Sequence, residues 1–167
     1  MALKQTSNLI VIGGSVSETA AHTFTQDRVD LQLNPLDNEV FVVQAIDMEL
    51  GAPDSVASTD TIMIGSLTTT SQSTMPAFSN STVLAQKRIE ISSPNATSSV
   101  VIESGSFESP PTNLEYLGII STNDFFLQVE GINTTAAHSL YVKVYGYRAK
   151  ADAATYAALV QSEVLSQ

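Results

Sequence analysis

Ser139-Leu140-Tyr141-Val142-Lys143-Val144-Tyr145-Gly146-Tyr147-Arg148, followed closely by the stretch from Ala151 to Leu165, decides the fold. In the first segment Leu140, Val142 and Val144 alternate with Tyr141, Lys143, Tyr145 and Tyr147, the period of a strand with one buried face. In the second, Ala153, Tyr156, Ala157, Val160 and Val164 recur at helical spacing, supported by Leu159 and Leu165. Asp152 sits near the start of that helix, where a carboxylate complements the helix dipole.

Working back from this change of period, apolar residues recur every second position as far as Asn8. They fall in short runs broken by Ser, Thr, Asn, Gly and Pro. Leu9 to Ile12 is a β-like run ended by Gly13-Gly14. Thr23 to Leu33 alternates, and Asn34-Pro35-Leu36-Asp37-Asn38 is a turn by composition. Glu39 to Leu50 is the strongest strand. Ile46, Met48 and Leu50 share one face and Asp47 and Glu49 the other, while Val40-Phe41-Val42-Val43 is apolar on both faces, as if covered twice. Asp60 to Leu67, Thr82 to Ile91, and Ser98 to Phe107 follow, the last stopped by Pro110-Pro111. Glu115 to Ser121 and Asp124 to Gly131 read as a hairpin around Thr122-Asn123.

The fold class is therefore all-β, a two-sheet β-sandwich or jelly roll of about eight strands with one C-terminal amphipathic helix. Residues 1–20 form an N-terminal arm or edge strand and residues 21–149 the sandwich. Residues 150–167 form the helix, either part of the same domain or a clamp between subunits. The helix is expected to cover an open end of the sandwich. Between strands, Thr68 to Ser81 is a polar loop long enough to suggest an interaction surface.

Composition narrows the partners. The 167 residues suit one domain, and the absence of cysteine excludes disulfides and thiolate chemistry. Seven Lys+Arg against 17 Asp+Glu give a formal charge of −10, although only 14% of residues are charged. Much of the remaining polarity comes from Ser and Thr, roughly a quarter of the chain. The basic residues are scattered, so no stripe exists to neutralise a row of phosphates, and tight nucleic-acid binding by this chain is not expected. The acidity likewise disfavours contact with anionic membrane surfaces. No apolar run reaches the roughly 20 residues of a membrane-spanning helix, and no export signal is read.

Catalytic constellations are sparse. The two histidines, His22 and His138, have no cysteine or acidic partner at ligand spacing and read as ordinary surface or turn residues. No serine lies in a nucleophile-elbow motif, and Gly13-Gly14-Ser15 lacks the lysine and spacing of a phosphate loop. Asp47 and Glu49 could do acid–base work across a cleft, but a solvated strand face is the commoner meaning. Asp54 and Asp60 flank a loop and could hold calcium, without an EF-type loop between them. Sequons at Asn80, Asn95 and Asn133 mark loops. No catalytic, cofactor-binding or metal-ligating residue is assigned.

Interaction residues are more legible. Tyr141, Tyr145 and Tyr147 share one strand face, where tyrosine can stack on a sugar or fill a protein interface. The competing reading puts this face in the core or beneath the helix. With Tyr156, Val160 and Val164 of the helix, they are the interface candidates.

The alternating final strand Ser139 to Tyr147, the strong strand Phe41 to Leu50, the long polar loop and the terminal extension together resemble a single jelly-roll capsid protein. The family meant is that of small tailless microbial viruses, marine and archaeal examples among them. The resemblance implies two facing four-stranded sheets and location in a virion. It also implies assembly with copies of itself and other capsid proteins into a symmetric shell, with no cofactor. The chain departs from many small capsid proteins in one respect: Met1 to Ala20 contains only Lys4, not a basic arm. Genome handling would then fall to another component, or the chain would be a minor or decorating shell protein. A carbohydrate-binding or adhesin-like sandwich, using the tyrosine face or the Thr68–Ser81 loop, is the alternative. A cupin-like enzyme comes third, because clustered histidines are lacking.

Overall fold

A computed structural model describes residues 3–105 and 114–165. The strands are β1 (Lys4–Gln5), β2 (Ile10–Ser17), β3 (Thr25–Asp30), β4 (Glu39–Leu50) and β5 (Thr61–Thr68). They continue with β6 (Val83–Asn95), β7 (Ser98–Gly105), β8 (Gly118–Ile120), β9 (Asp124–Ile132) and β10 (Ser139–Lys150), and α1 (Ala153–Leu165) follows. One sheet runs β2-β10-β4-β8, with β1 continuing the β2 edge where Lys4 faces Lys150; the other runs β3-β9-β5-β6-β7. Strands β2-β10-β4-β8 against β3-β9-β5-β6 give the strand order of a jelly roll, to which β7 is added outside β6.

The pairing is nested. β5 pairs with β6, β4 with β8, β3 with β9 and β2 with β10, all antiparallel. The two halves of the chain thus run as one long hairpin wound around the core, with residues 69–82 at its tip. Alternation supplies that core. Leu140, Val142 and Val144 of β10 join Phe41, Val43 and Leu50 of β4 on one side. They meet Met63, Leu67, Phe125, Leu127 and Val129 from the second sheet. Each such side chain contributes about 1.5–3 kcal/mol relative to exposure.

The run that is apolar on both faces is indeed covered twice. Phe41 and Val43 point into the sandwich, while Val40, Val42 and Ala149 lie in a second cluster with Leu3, Ile119, Tyr147, Tyr156 and Leu159. α1 therefore packs on the outer face of the first sheet and not over an open end. The reason is the apolar floor that Val40, Val42 and Ala149 offer there. Its buried stripe is also rotated from the expected one: Tyr156 and Leu159 pack inward, Val160 is half-buried, Glu163 is buried, and Val164 is 51% exposed. Asp152 starts the helix by accepting from the Thr155 N–H (2.9 Å) and hydroxyl (2.7 Å), which holds its carboxyl below the usual range.

Glu163 replaces an apolar anchor. One carboxylate oxygen accepts the N–H groups of Ser121 (3.0 Å) and Thr122 (2.9 Å) and the Ser121 hydroxyl. The Ser121–Asn123 corner is thereby fixed as a passage between sheets. Asn123 completes it by accepting the Leu31 N–H at its carbonyl and the Leu33 N–H at its side chain. The expected hairpin around Thr122-Asn123 does not form: β8 pairs with β4 and β9 with β3 and β5. Two further differences concern glycines and ends. β2 passes through Gly13-Gly14 to Ser17, because β10 supplies a continuous ladder opposite. Phe107 and Pro110-Pro111, the expected end of the seventh strand, lie outside the described residues.

Gly146 is required by close approach. Opposite it β4 carries a bulge: Tyr145 faces Ala45 and Gly146 faces Val43, leaving Gln44 between them. A Cβ at Gly146 would lie 2.7 Å from the Phe41 ring and overlap the Val42 carbonyl. Gly146→Ala is expected to lower stability by about 3 kcal/mol or more, read from urea denaturation. A second expectation concerns Glu163, whose carboxyl is raised by burial against the hydrogen bonds from Ser121 and Thr122. Because the folded-state value is raised, docking of α1 tightens as pH falls through it toward the ordinary carboxylate range and loosens above it. Hydrogen exchange of the helix amides should show this as pH is lowered from neutral toward the ordinary carboxylate range, and Glu163→Gln should flatten the dependence.

Candidate interaction surfaces

The outer face of the first sheet divides in two. α1 covers one half, and the other is open. Ladder register sets the open half as three rows across β2, β10 and β4: Val11–Tyr145–Ala45, Gly13–Lys143–Asp47, and Ser15–Tyr141–Glu49. No atom lies near the position of a Cβ on Gly13, and the second and third rows line a groove of about 540 Å3. Asp47, Glu49, Tyr141 and Tyr145 therefore meet on one surface. Asp47 and Glu49 stand on the same strand and the same sheet face, so they do not flank a sugar from opposite walls as a glycosidase pair does.

The tyrosines part company. Tyr141 is 55% exposed and available. Tyr145 is half-buried and donates its hydroxyl to Asp47, a bond that raises its pKa above the ordinary value with help from burial and the Asp47 charge. Tyr147 and Tyr156 are in the cluster beneath α1 and serve the subunit itself. One strand face thus carries both readings of the tyrosines, with the helix as the boundary.

The loop from Thr68 to Ser81 is partly structural. Gln128, on the outer face of the second sheet, is fully buried and donates to Thr68 Oγ1 (2.6 Å) and Gln26 Oε1 (3.0 Å). Gln26 Oε1 also accepts the Gln72 N–H at 2.8 Å. Thr69 and Thr70 are buried in this lid, and Phe78 stays exposed.

At the end of the sandwich where β2, β4 and β9 finish, carboxylates staple loops. Buried Glu18 accepts the N–H groups of Gly131 (2.7 Å), His138 (3.0 Å) and Thr23 (3.3 Å), joining three segments. Its charge, after burial itself, raises the Glu130 carboxyl. Asp54 accepts from Thr135 Oγ1 (2.8 Å), Thr135 N (3.0 Å) and Ala136 N (3.1 Å), and these bonds lower its pKa. His138 Nε2 stands 3.5 Å from an Asp54 carboxylate oxygen, too long for a good hydrogen bond. His22 bonds the Thr134 carbonyl through its ring. Asp60 takes the Ser93 N–H (2.8 Å) and Ser92 hydroxyl (3.0 Å). Each expected calcium candidate thus has one carboxylate oxygen engaged by protein donors, and among the described residues no group of three or more His, Asp or Glu is placed to hold a metal. Sequence spacing gave no sign of Glu18, whose partners lie over 100 residues away in two of three cases.

The third surface is β7. All its residues are exposed, with Val100 60%, Val101 66% and Ile102 49% accessible in the middle of the strand. Among the described residues it pairs on one side only, with β6, and stands last in the sheet. Its one charge, Glu103, is matched by Lys87 of β6 at 2.6 Å.

Comparison of the chain with protein-family models, with curated proteins and with solved structures gives no match.

Glu18→Ala would leave three N–H groups without an acceptor at this end of the sandwich. A loss of about 2–4 kcal/mol in urea denaturation is expected. The Asp54 staple, whose folded pKa is depressed, should hold above the ordinary carboxylate range and fail as pH falls below it. Asp54→Asn should remove that share of the acid sensitivity.

Proposed function

We propose that this chain is a structural subunit that assembles with copies of itself into a shell of the viral-capsid type. The observation that carries the reading is β7. A whole strand is exposed on both faces at a sheet edge with Val-Val-Ile at its centre, where monomeric proteins place charge, proline or a cover. The jelly-roll strand order supports it as an architecture that tiles well, which is a fold-level argument and weaker than the surface itself. Further apolar surface at Leu9, Val11 and Leu165 lies on other parts of the subunit, as contacts with more than one neighbour require. In a virion, the acidic chain would leave the genome to another component.

A second reading draws on the open groove. Tyr141, one row from the bare surface at Gly13 and sharing the groove with Asp47, Glu49 and Lys143, offers an aromatic platform with polar groups at its rim, the composition of a glycan site.

Light scattering and electron microscopy of the purified protein separate the two. Closed shells, or rings of regular subunit number that grow with concentration, are expected. A monomer over a wide concentration range would overturn the assembly reading. A monomer that binds an oligosaccharide and loses it in Tyr141→Ala would establish the glycan reading in its place.

A further inference from the structure

The edges of the two sheets are not equally protected. β3 carries Asp27, Arg28 and Asp30, β8 is three residues long, and β1 is two. β2 is uncharged but is interrupted by Gly13-Gly14, which weaken a pairing strand. β7 alone combines eight residues, an apolar centre and a single charge already neutralised by its own subunit. In a chain of net charge −10, an edge whose one carboxylate is already balanced meets little repulsion from a second copy, and β7 adds to this the unbroken apolar centre that β2 lacks.

We propose that β7 pairs antiparallel with β7 of a second copy about a two-fold axis at Val101, joining the two β3-β9-β5-β6-β7 sheets into one. The inference rests on the assembly reading and names its first contact.

The sequence of the strand selects the register. With the axis at Val101, Val101 faces its own copy, Val100 faces Ile102, and Ser99 faces Glu103. One sheet face then gathers Val100 and Ile102 from both subunits, four apolar side chains in adjacent cross-strand pairs. The other face holds the two Val101 side chains, flanked by Ser99 hydroxyls against Glu103 carboxylates that Lys87 already balances. Moving the axis to Ile102 sets Val101 against Glu103. Moving it to Glu103 opposes two like charges, and moving it to Val100 sets Ser98 against Ile102. Only the Val101 register matches apolar with apolar and keeps the carboxylates apart. Two-fold pairing is isologous, so the same patch serves both subunits and the contact closes on itself. Other contacts must then extend the dimer into a larger assembly.

The chain contains no cysteine, which makes the register directly testable by single substitutions in the full-length protein. Val101→Cys should form a disulfide-linked dimer under mild oxidation. Ser99→Cys alone should not, whereas a mixture of Ser99→Cys and Glu103→Cys should give the mixed dimer. Val101→Lys, at an exposed position, should keep the circular dichroism and thermal melting of the parent and weaken self-association at least tenfold. If the parent assembles while Val101→Lys assembles equally well, or if cysteines on β7 cross-link instead to the β2 edge, the β7 pairing is wrong and the shell reading stands. If the parent stays monomeric at every concentration, both fall together.

Discussion

Strand β10 is the member on which the rest of the structure depends. Among the described residues it is the only strand of the first sheet with partners along both sides for most of its length, β2 and β1 on one and β4 on the other. Its inward side chains, Leu140, Val142 and Val144, supply the core, and its outward end, Tyr147 and Ala149, supplies the floor on which α1 rests. The exposed part of the same outward face carries Tyr141 and Lys143. Period-two alternation thus does three jobs in twelve residues, and the bulge at Gln44 lets β4 follow β10 past Gly146 without losing the ladder.

The two sheet ends are handled by opposite means. At the loop end, buried or half-buried carboxylates collect backbone N–H groups from separate segments, with Glu18 and Asp54 each bridging distant parts of the chain. Along the lateral edge, β7 is left without such satisfaction on its outer side. Buried charge thus closes the loops while an apolar edge stays uncovered, the contrast on which the proposed assembly rests.

Much of the fold was legible because alternation is a direct record of burial. β4 was bounded correctly, and its doubly apolar first half announced a second covering layer before that layer was known to be α1. What alternation does not record is partnership. Ser121 to Asn123 has the composition of a hairpin turn, but Glu163 and Leu33 claim its hydrogen bonds from 42 and 90 residues away, and the chain crosses between sheets instead. The helix was found, but its stripe was misplaced by one position, since a buried Glu163 reads as solvent-facing until its three donors are seen. The tyrosines illustrate the same limit: their shared face was readable, while the line between covered Tyr147 and open Tyr141 is drawn by a separate element. The edge at β7 was recognised as a strand, but nothing local in Ser98 to Gly105 says that none of the other described strands lies beyond it.

The nested pairing also bears on how the chain reaches this state. Contacts between β5 and β6 close a short loop, whereas β2 finds its partner only in β10, more than 100 residues later. Loop-closure entropy therefore orders the events from the 69–82 tip outward, and topologies dominated by such distant pairs fold in about milliseconds to seconds. On the ribosome, β2 and β4 must wait with bare edges until the last strand emerges. β7, by contrast, can pair with β6 as soon as both have been made. The exposed edge is then among the earliest to exist, and nascent copies on a crowded polysome would carry it bare before their sandwiches are closed.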